Sequence, residues 1–201
     1  MSHPDSPPDP DKLDRLRAAV AAYEQGQAGG QIFDREAEQA LAPVRSRAMR
    51  LLDQRARSRA ELRGRLLRAE FAEELVETVL DDLERVGLIN DQAFAREWVR
   101  QRATRRGKSA RALDVELRGK GVAEPDRREA LAQVTAADEE ATARSAAEKK
   151  AREVKSAPAD RAEYDKYLRR IVGVMARRGF GSEMSLRIGR EVLDRRIAEV
   201  T

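Results

Sequence analysis

Cysteine is absent from this 201-residue chain, and histidine occurs once, as His3. No disulfide, zinc–thiolate site, iron–sulfur cluster or thiol nucleophile can be assembled from such a chain. A single histidine in a Pro- and Asp-rich start also supplies neither a histidine metal pair nor a Ser-His-Asp triad. Aromatics make up 4% of the residues, so any core must be built from Leu, Val, Ile and Ala. Ala and Arg are good helix formers, whereas β-branched and aromatic strand formers are scarce, which argues against a sandwich, a TIM barrel or a Rossmann domain. No apolar run reaches the length of about 18 residues that a membrane span needs. The opening Met1-Ser2-His3-Pro4-Asp5 lacks the basic-then-apolar order of a secretory signal, so a cytoplasmic location is expected.

Charge is abundant. Asp, Glu, Lys and Arg are 38% of the chain, against about 25% in an average globular domain. The net +4 conceals blocks of alternating sign. Residues 1–43 are net −4, 44–68 net +7, 69–91 net −7, 92–122 net +6 and 123–143 net −4. Two readings fit such blocks. In one, successive helices carry salt-bridged, solvated faces. In the other, basic faces are presented to an anionic partner.

Punctuation divides the chain. Residues 1–43 carry Pro4, Pro7, Pro8 and Pro10 and a Gly26-to-Gly30 stretch, and are expected to be a largely disordered acidic tail with a transient helix. Regular helical patterning starts at Val44, with Ala48, Leu51 and Leu52 on one stripe. Ser58-Arg59-Ala60-Glu61 has the form of a capping box ahead of Leu62, Leu66 and Leu67. Gly87 ends the next helix, and Asn90-Asp91 caps the one that carries Phe94, Ala95, Trp98 and Val99. Core packing is the expected role of Trp98, with base stacking the alternative.

A threefold internal repeat emerges. Leu62, Leu66, Glu70 and Phe71 align with Leu113, Leu117, Gly121 and Val122, and those with Ile171, Met175, Gly179 and Phe180. The following helix keeps register, through Val79 and Leu83, Ala130 and Val134, and Ile188 and Val192. The fold class expected is all-α, with three tandem three-helix repeats stacked into an elongated, curved array. Their bounds are read as 44–89, 90–136 and 137–201. Glu70 stands where the other repeats have Gly, so a different turn geometry is expected there.

No catalytic constellation appears. Gly107-Lys108-Ser109 ends like a phosphate loop, but Arg102 occupies the position of its leading glycine, and the preceding segment reads as helix. A helix break capped by Ser109 is the plainer account. The carboxylates Glu77, Asp81, Asp82 and Glu84 flank an apolar stripe and are expected on a solvated or docking face. The basic positions are better candidates. Arg100, Arg102, Arg105, Arg106, Lys108 and Arg111 span a helix end, a Gly break and a helix start, with Arg118 and Lys120 following. Arg169, Arg170, Arg177 and Arg178 repeat the theme. Arginine suits bidentate contacts to carboxylate or phosphate.

Several of these segments together resemble the RecX family, bacterial regulators of the RecA recombinase. They are Ser58 to Leu62, Val86 to Asp91 with Phe94, Ala95, Trp98 and Val99, Arg105 to Ser109, Glu116 to Val122, and Ala176 to Phe180. The resemblance runs over about residues 44–196. It implies three tandem three-helix repeats and a non-enzymatic monomer without cofactor or metal. It also implies binding to the RecA filament and to single-stranded DNA, directly or through the filament, with restraint of ATPase, filament extension and strand exchange. The alternative from the residues alone is a stand-alone helical nucleic-acid-binding protein. The contact surface expected under either reading is Arg100, Arg102, Arg105, Arg106, Lys108, Arg111, Arg118, Lys120, Arg177 and Arg178.

Overall fold

The computed structural model describes residues 35–201; most of the expected tail, residues 1–34, lies outside them. Nine helices and no strand occur among the described residues. They are α1 (Arg35–Gln54), α2 (Arg59–Leu67), α3 (Glu73–Arg85), α4 (Asp91–Arg106), α5 (Ala110–Gly119), α6 (Glu124–Leu131), α7 (Ala136–Ala151), α8 (Arg161–Arg177) and α9 (Ser182–Val200). The expected all-helical repeat fold is observed.

Three separate cores lie along the chain. The first joins Leu41, Val44, Ala48 and Leu51 of α1 to Leu62 and Leu66 of α2 and to Val76, Val79, Leu80 and Leu83 of α3. The second joins Phe94, Ala95 and Val99 of α4 to Leu113, Leu117, Val122 and Ala130. The third packs Ala143, Ala147 and Ala151 of α7 against Leu168, Ile171 and Met175 of α8 and Ile188, Val192 and Leu193 of α9. The aligned positions play one role in each unit. Leu62, Leu113 and Ile171 are buried, as are Leu66, Leu117 and Met175. Such burial is worth about 1.5–3 kcal/mol per side chain.

Two expectations are corrected. Helix α1 starts at Arg35, so residues 35–43, read as tail, are helical, and Leu41 is buried in the first core. Pro43 invited the shorter reading, because proline cannot donate the helical hydrogen bond to the carbonyl four residues back, yet the helix runs through it. Truncation at residue 43 would therefore remove a core side chain. The second correction concerns Glu70. Its φ is 63°, in the same left-handed region as Gly121 at 73° and Gly179 at 89°. Its N–H bonds to the Leu67 carbonyl as Gly121 bonds to that of Arg118 and Gly179 to that of Ala176. The turn is thus the same in all three units, and Glu70 adopts it at a cost.

That cost is testable. Glu70→Gly removes a left-handed penalty of about 1–2 kcal/mol and returns somewhat less than about 1 kcal/mol as unfolded-chain entropy. The variant is expected to gain about 0.5–1 kcal/mol in urea denaturation. A lower unfolding midpoint than the parent's would contradict the strain assigned to this turn.

The caps follow the sequence in most places. The Ser58, Asn90 and Ser109 side chains accept from the backbone N–H groups of Glu61, Ala93 and Ala112. Only half of the expected box at Ser58 forms, because the Glu61 carboxylate turns instead to Arg55 and Lys120. A complete capping box appears at Thr135 and Asp138, opening α7.

Candidate interaction surface

The charge blocks partly neutralise each other within the fold. Arg59 on α2 reaches Glu77, Asp81 and Glu84 on α3, at 2.8, 2.7 and 2.9 Å. Arg63 joins Glu77 and Glu73, while Arg45 of α1 reaches Asp82. Three cations of the net +7 block thus neutralise part of the net −7 block after it, in the manner of the solvated-face reading, while Arg47, Arg50, Arg65 and Arg68 stay exposed and outside any ion pair among the described residues. Basic groups left out of such pairing are the ones free to meet a partner.

The ten expected contact residues separate into distinct environments. Arg102, Lys108 and Lys120 gather around Trp98. The Arg102 guanidinium lies 3.6 Å from the Trp98 ring centroid, and the Lys120 ammonium 4.8 Å from it. Trp98 donates its indole N–H to Glu116 at 2.9 Å, and Lys108 and Arg102 both pair with the same carboxylate. Lys120 also pairs with Glu61 at 2.5 Å. Trp98 is half-buried, packs against Phe94 and holds these cations on its face. The core role expected of it is thus joined to a polar one.

Burial alone would push the Glu61 carboxyl up. Hydrogen bonds from Arg55 and Lys120, and their charges, overcome this and hold it at about 2. Burial likewise raises Glu116, but Lys108 and Trp98 as donors, with the Lys108 and Arg102 charges, bring it below its ordinary value. These carboxylates are ionised ties between helices. Arg102, Lys108 and Lys120 are consequently engaged within the fold.

Arg100 and Arg118 are exposed and paired on their own helices, with Glu97 and Asp114. Arg105, Arg106 and Arg111 are exposed and belong to no ion pair among the described residues. Arg105 does add its charge to the stabilisation of the Glu97 carboxylate, behind the hydrogen bonds from Arg100 and Gln101. Arg178 comes across from the third unit. A Cβ built on Gly107 would sit 2.8 Å from its guanidinium, and Ser109 donates its N–H to the Arg178 carbonyl at 3.0 Å. Arg177, one residue earlier, lies exposed near the end of α8.

The units are joined by a repeated polar latch. At the first joint, the Ser58 hydroxyl donates to the Lys120 carbonyl at 2.6 Å, and Asp91 accepts the Arg59 N–H at 2.8 Å. At the second, Ser109 meets the Arg178 carbonyl, and Glu139 accepts the Ala110 N–H at 2.8 Å. In both, the N-terminus of the middle helix of one unit is closed by the left-handed turn and a carboxylate of the next. Burial raises the Asp91 carboxyl above its ordinary range, against the pull of the Arg59 N–H.

Sequence reasoning missed Arg57. It is 5% exposed, with Nε donating to the Leu51 carbonyl at 2.9 Å and Nη2 to Gln54 at 3.2 Å. Its Nη1 is buried without a partner among the described residues. Burial chiefly, then the nearby Arg55 and Arg65 charges, lowers its pKa. Arg57 lines a cleft of about 470 Å³ between the first two units, together with Leu88, Phe94 and Trp98. Nothing in its sequence neighbourhood separates it from the surrounding surface arginines.

No group of three or more metal-ligating side chains occurs among the described residues, and no described helix is long and apolar enough to cross a membrane. Three like three-helix units, latched in series and ionic on the outside, define a tandem-repeat protein of the helical class. Comparison with known proteins narrows this. Residues 90–131 match the model of the second three-helix domain of RecX, and residues 45–83 that of the first. Regulatory protein RecX of Corynebacterium efficiens is 55% identical over 192 residues, covering 94% of this chain and 91% of that one. The Thermobifida fusca protein of the same name is 37% identical, over 81% of this chain and 85% of its own. A crystal structure of RecX from Lactobacillus salivarius superposes with a TM-score of 0.65 at 21% identity, covering 77% of this chain and 97% of that one. The chain belongs to the RecX family of regulatory proteins.

Proposed function

We propose that this protein regulates the RecA recombinase by binding the RecA–DNA filament and restraining ATPase, filament extension and strand exchange. Family membership over nearly the whole chain supports the RecA connection. The observation that carries the geometry is the exposed, unpaired trio Arg105, Arg106 and Arg111 beside the joint between the second and third units. Three units in series offer several weak contacts at once, and linked contacts reinforce one another through effective concentration. Such a protein acts by occupancy, as a monomer in the cytoplasm and without cofactor or chemistry of its own. Single-stranded DNA is met directly or through the filament.

The test is a titration of the protein into RecA on single-stranded DNA, with ATPase and filament length as readouts. Both are expected to fall at or below equimolar protein. Unchanged ATPase and length across a broad titration at physiological salt would remove the assignment. The stand-alone nucleic-acid-binding alternative predicts equal affinity for bare and RecA-coated DNA, whereas the regulator prefers the filament.

The trio is probed by Arg105→Glu, Arg106→Glu and Arg111→Glu combined. Lys108 is left intact because reversing it would set a carboxylate against Glu116. Exposed substitutions change stability by about 0.5 kcal/mol or less, so helix content by circular dichroism is expected to persist. Each lost charge-assisted contact costs about 1.5–3 kcal/mol, and about 1.4 kcal/mol is one decade. Filament binding is therefore expected to weaken more than tenfold. Parental affinity at both low and physiological salt would assign the trio to solvation alone.

A further inference from the structure

An exposed basic face of α8 lies outside the ion-pair networks. On α8, Lys166, Arg169, Arg170, Gly173 and Arg177 follow one another at spacings of three, one, three and four residues, which places them along one side of a helix. Lys166, Arg169, Arg170 and Arg177 are all exposed, and none belongs to an ion pair among the described residues. With Lys150 of α7 they line a shallow groove of about 460 Å³ that contains no acidic and no apolar side chain. Of the neighbouring acids, Asp165 pairs with Arg161 at 3.2 Å and Glu163 accepts from the Tyr167 hydroxyl, while Glu153 pairs with the groove's own Lys150 at 2.6 Å and leaves the four α8 cations unpaired. Gly173 leaves the floor of the groove without a side chain, and the Arg177 guanidinium lies back over it, with Nη1 3.4 Å from where a Cβ would stand.

We propose that this face of α8 is a contact surface for the phosphodiester backbone of nucleic acid. Four unpaired cations on one helix face, with no acidic side chain lining the groove, leave a positive potential that a polyanion neutralises along its whole length. From Lys166 to Arg177 the helix advances about 16 Å, at about 1.5 Å per residue. One strand of B-form DNA carries about one charge per 3.4 Å of axis, so such a span meets several phosphates of one backbone. A protein interface typically has an apolar core depleted of charge inside its polar rim, and here the centre is Gly173 ringed by cations. The groove has no aromatic ring on which a base could stack, so it reads the backbone and not the sequence. This deepens the reading above by giving the protein a DNA contact of its own, on the third unit and separate from Arg105, Arg106 and Arg111.

The experiment uses the full chain and a fluorescein-labelled single-stranded oligonucleotide without RecA, followed by anisotropy at several salt concentrations. Arg169→Gln, Arg170→Gln and Arg177→Gln combined is expected to weaken binding more than tenfold at low salt. The slope of log affinity against log salt is expected to become shallower by about 2, at about 0.7 per phosphate contact on a single strand. The triple Arg→Lys variant keeps the charge and is expected to retain both affinity and slope, which separates charge loss from misfolding. Mixed-sequence and oligo-thymidine strands are expected to bind alike. A triple Gln variant with parental affinity and slope overturns the proposal, as does a parent protein that fails to bind the bare strand at low salt. Loss of DNA-free RecA capture by the Gln variant with oligonucleotide binding intact would make the face a protein contact, and also overturns it. RecA ATPase is measured in parallel. Inhibition without bare-strand binding sinks only this inference, and binding through α8 without inhibition sinks only the regulatory reading.

Discussion

Gly179→Ala is expected to destabilise the protein by about 3 kcal/mol or more. Two effects combine. The position has φ 89°, and an L-residue in the left-handed region costs about 1–2 kcal/mol. The new methyl would also stand 2.6 Å from both the Ala112 Cβ and the Ser109 Oγ, and 3.2 Å from the Ala112 backbone nitrogen. None of these is the free end of a flexible chain, so the overlap is relieved only by moving the third unit away from the second. Overpacking of this kind costs about 1–3 kcal/mol. Movement also breaks the Ser109–Arg178 backbone bond. Gly121→Ala is expected to behave alike at the first joint, where the added methyl would overlap the Ala60 Cβ at φ 73°. Gly119→Ala provides the contrast. It ends α5 with open space around its Cα, and there Ala is expected to be neutral or stabilising by up to about 1 kcal/mol. Thermal and urea denaturation measure all three variants. Gly179→Ala unfolding together with the parent would mean that the joint gives way without cost.

Acid is expected to loosen the first joint before it reaches the cores. The Glu61 carboxyl is held at about 2 against an ordinary 4.5. A depressed carboxyl contributes stability that is complete above its unfolded value and is lost as pH falls through the folded one. The window is therefore from about pH 4.5 down to about 2. Each tenfold change in proton affinity is worth about 1.4 kcal/mol, so the contribution has a ceiling of about 3 kcal/mol. Solvent screening at this partly open site keeps it below that ceiling. Asp91 acts in the opposite sense. Its carboxyl is raised, chiefly by burial, so the folded state binds its proton more readily and regains a part as pH falls. Urea midpoints measured between pH 5 and 2 are expected to drop for the parent and to drop less for Glu61→Gln, which starts lower at neutral pH. Parallel curves for the two proteins would show that Glu61 carries no linked proton.

Local pattern explains what was readable beforehand. The stripe of Leu62 and Leu66, repeated as Leu113 and Leu117 and as Ile171 and Met175, is a short-range signal, because helical period places those residues on one face whatever the rest of the chain does. Ser58, Asn90 and Ser109 announce helix starts for the same reason. Glu70 was opaque, since a residue's identity reveals a left-handed backbone only when that residue is Gly, and the neighbouring structure imposed the conformation here. Helix α1 passed through Pro43 because burial of Leu41 and Val44 outweighs one missing backbone bond. The interaction surface was legible as a concentration of arginine, but not as a division of labour. Whether Lys108 and Lys120 are free depends on Glu116 and Glu61, and the second of these lies 59 residues from its lysine. The latches use main-chain carbonyls, which every residue has, so no sequence pattern marks them.

The separation of the three cores has a mechanical consequence. Each apolar cluster closes within its own unit, and the latches between units consist of buried serines, backbone carbonyls, single carboxylates and, at the first joint, the Glu61–Lys120 ion pair. Stiffness is therefore unevenly distributed, high inside each bundle and low at two narrow polar seams between bundles. Bending at a seam strains a few hydrogen bonds, each worth about 0.5–1.5 kcal/mol net, and leaves every apolar contact within the units in place. A chain built this way behaves as three rigid links on two short springs. It can follow a helical track whose pitch changes beneath it, adjusting at the seams while each bundle keeps its own fold.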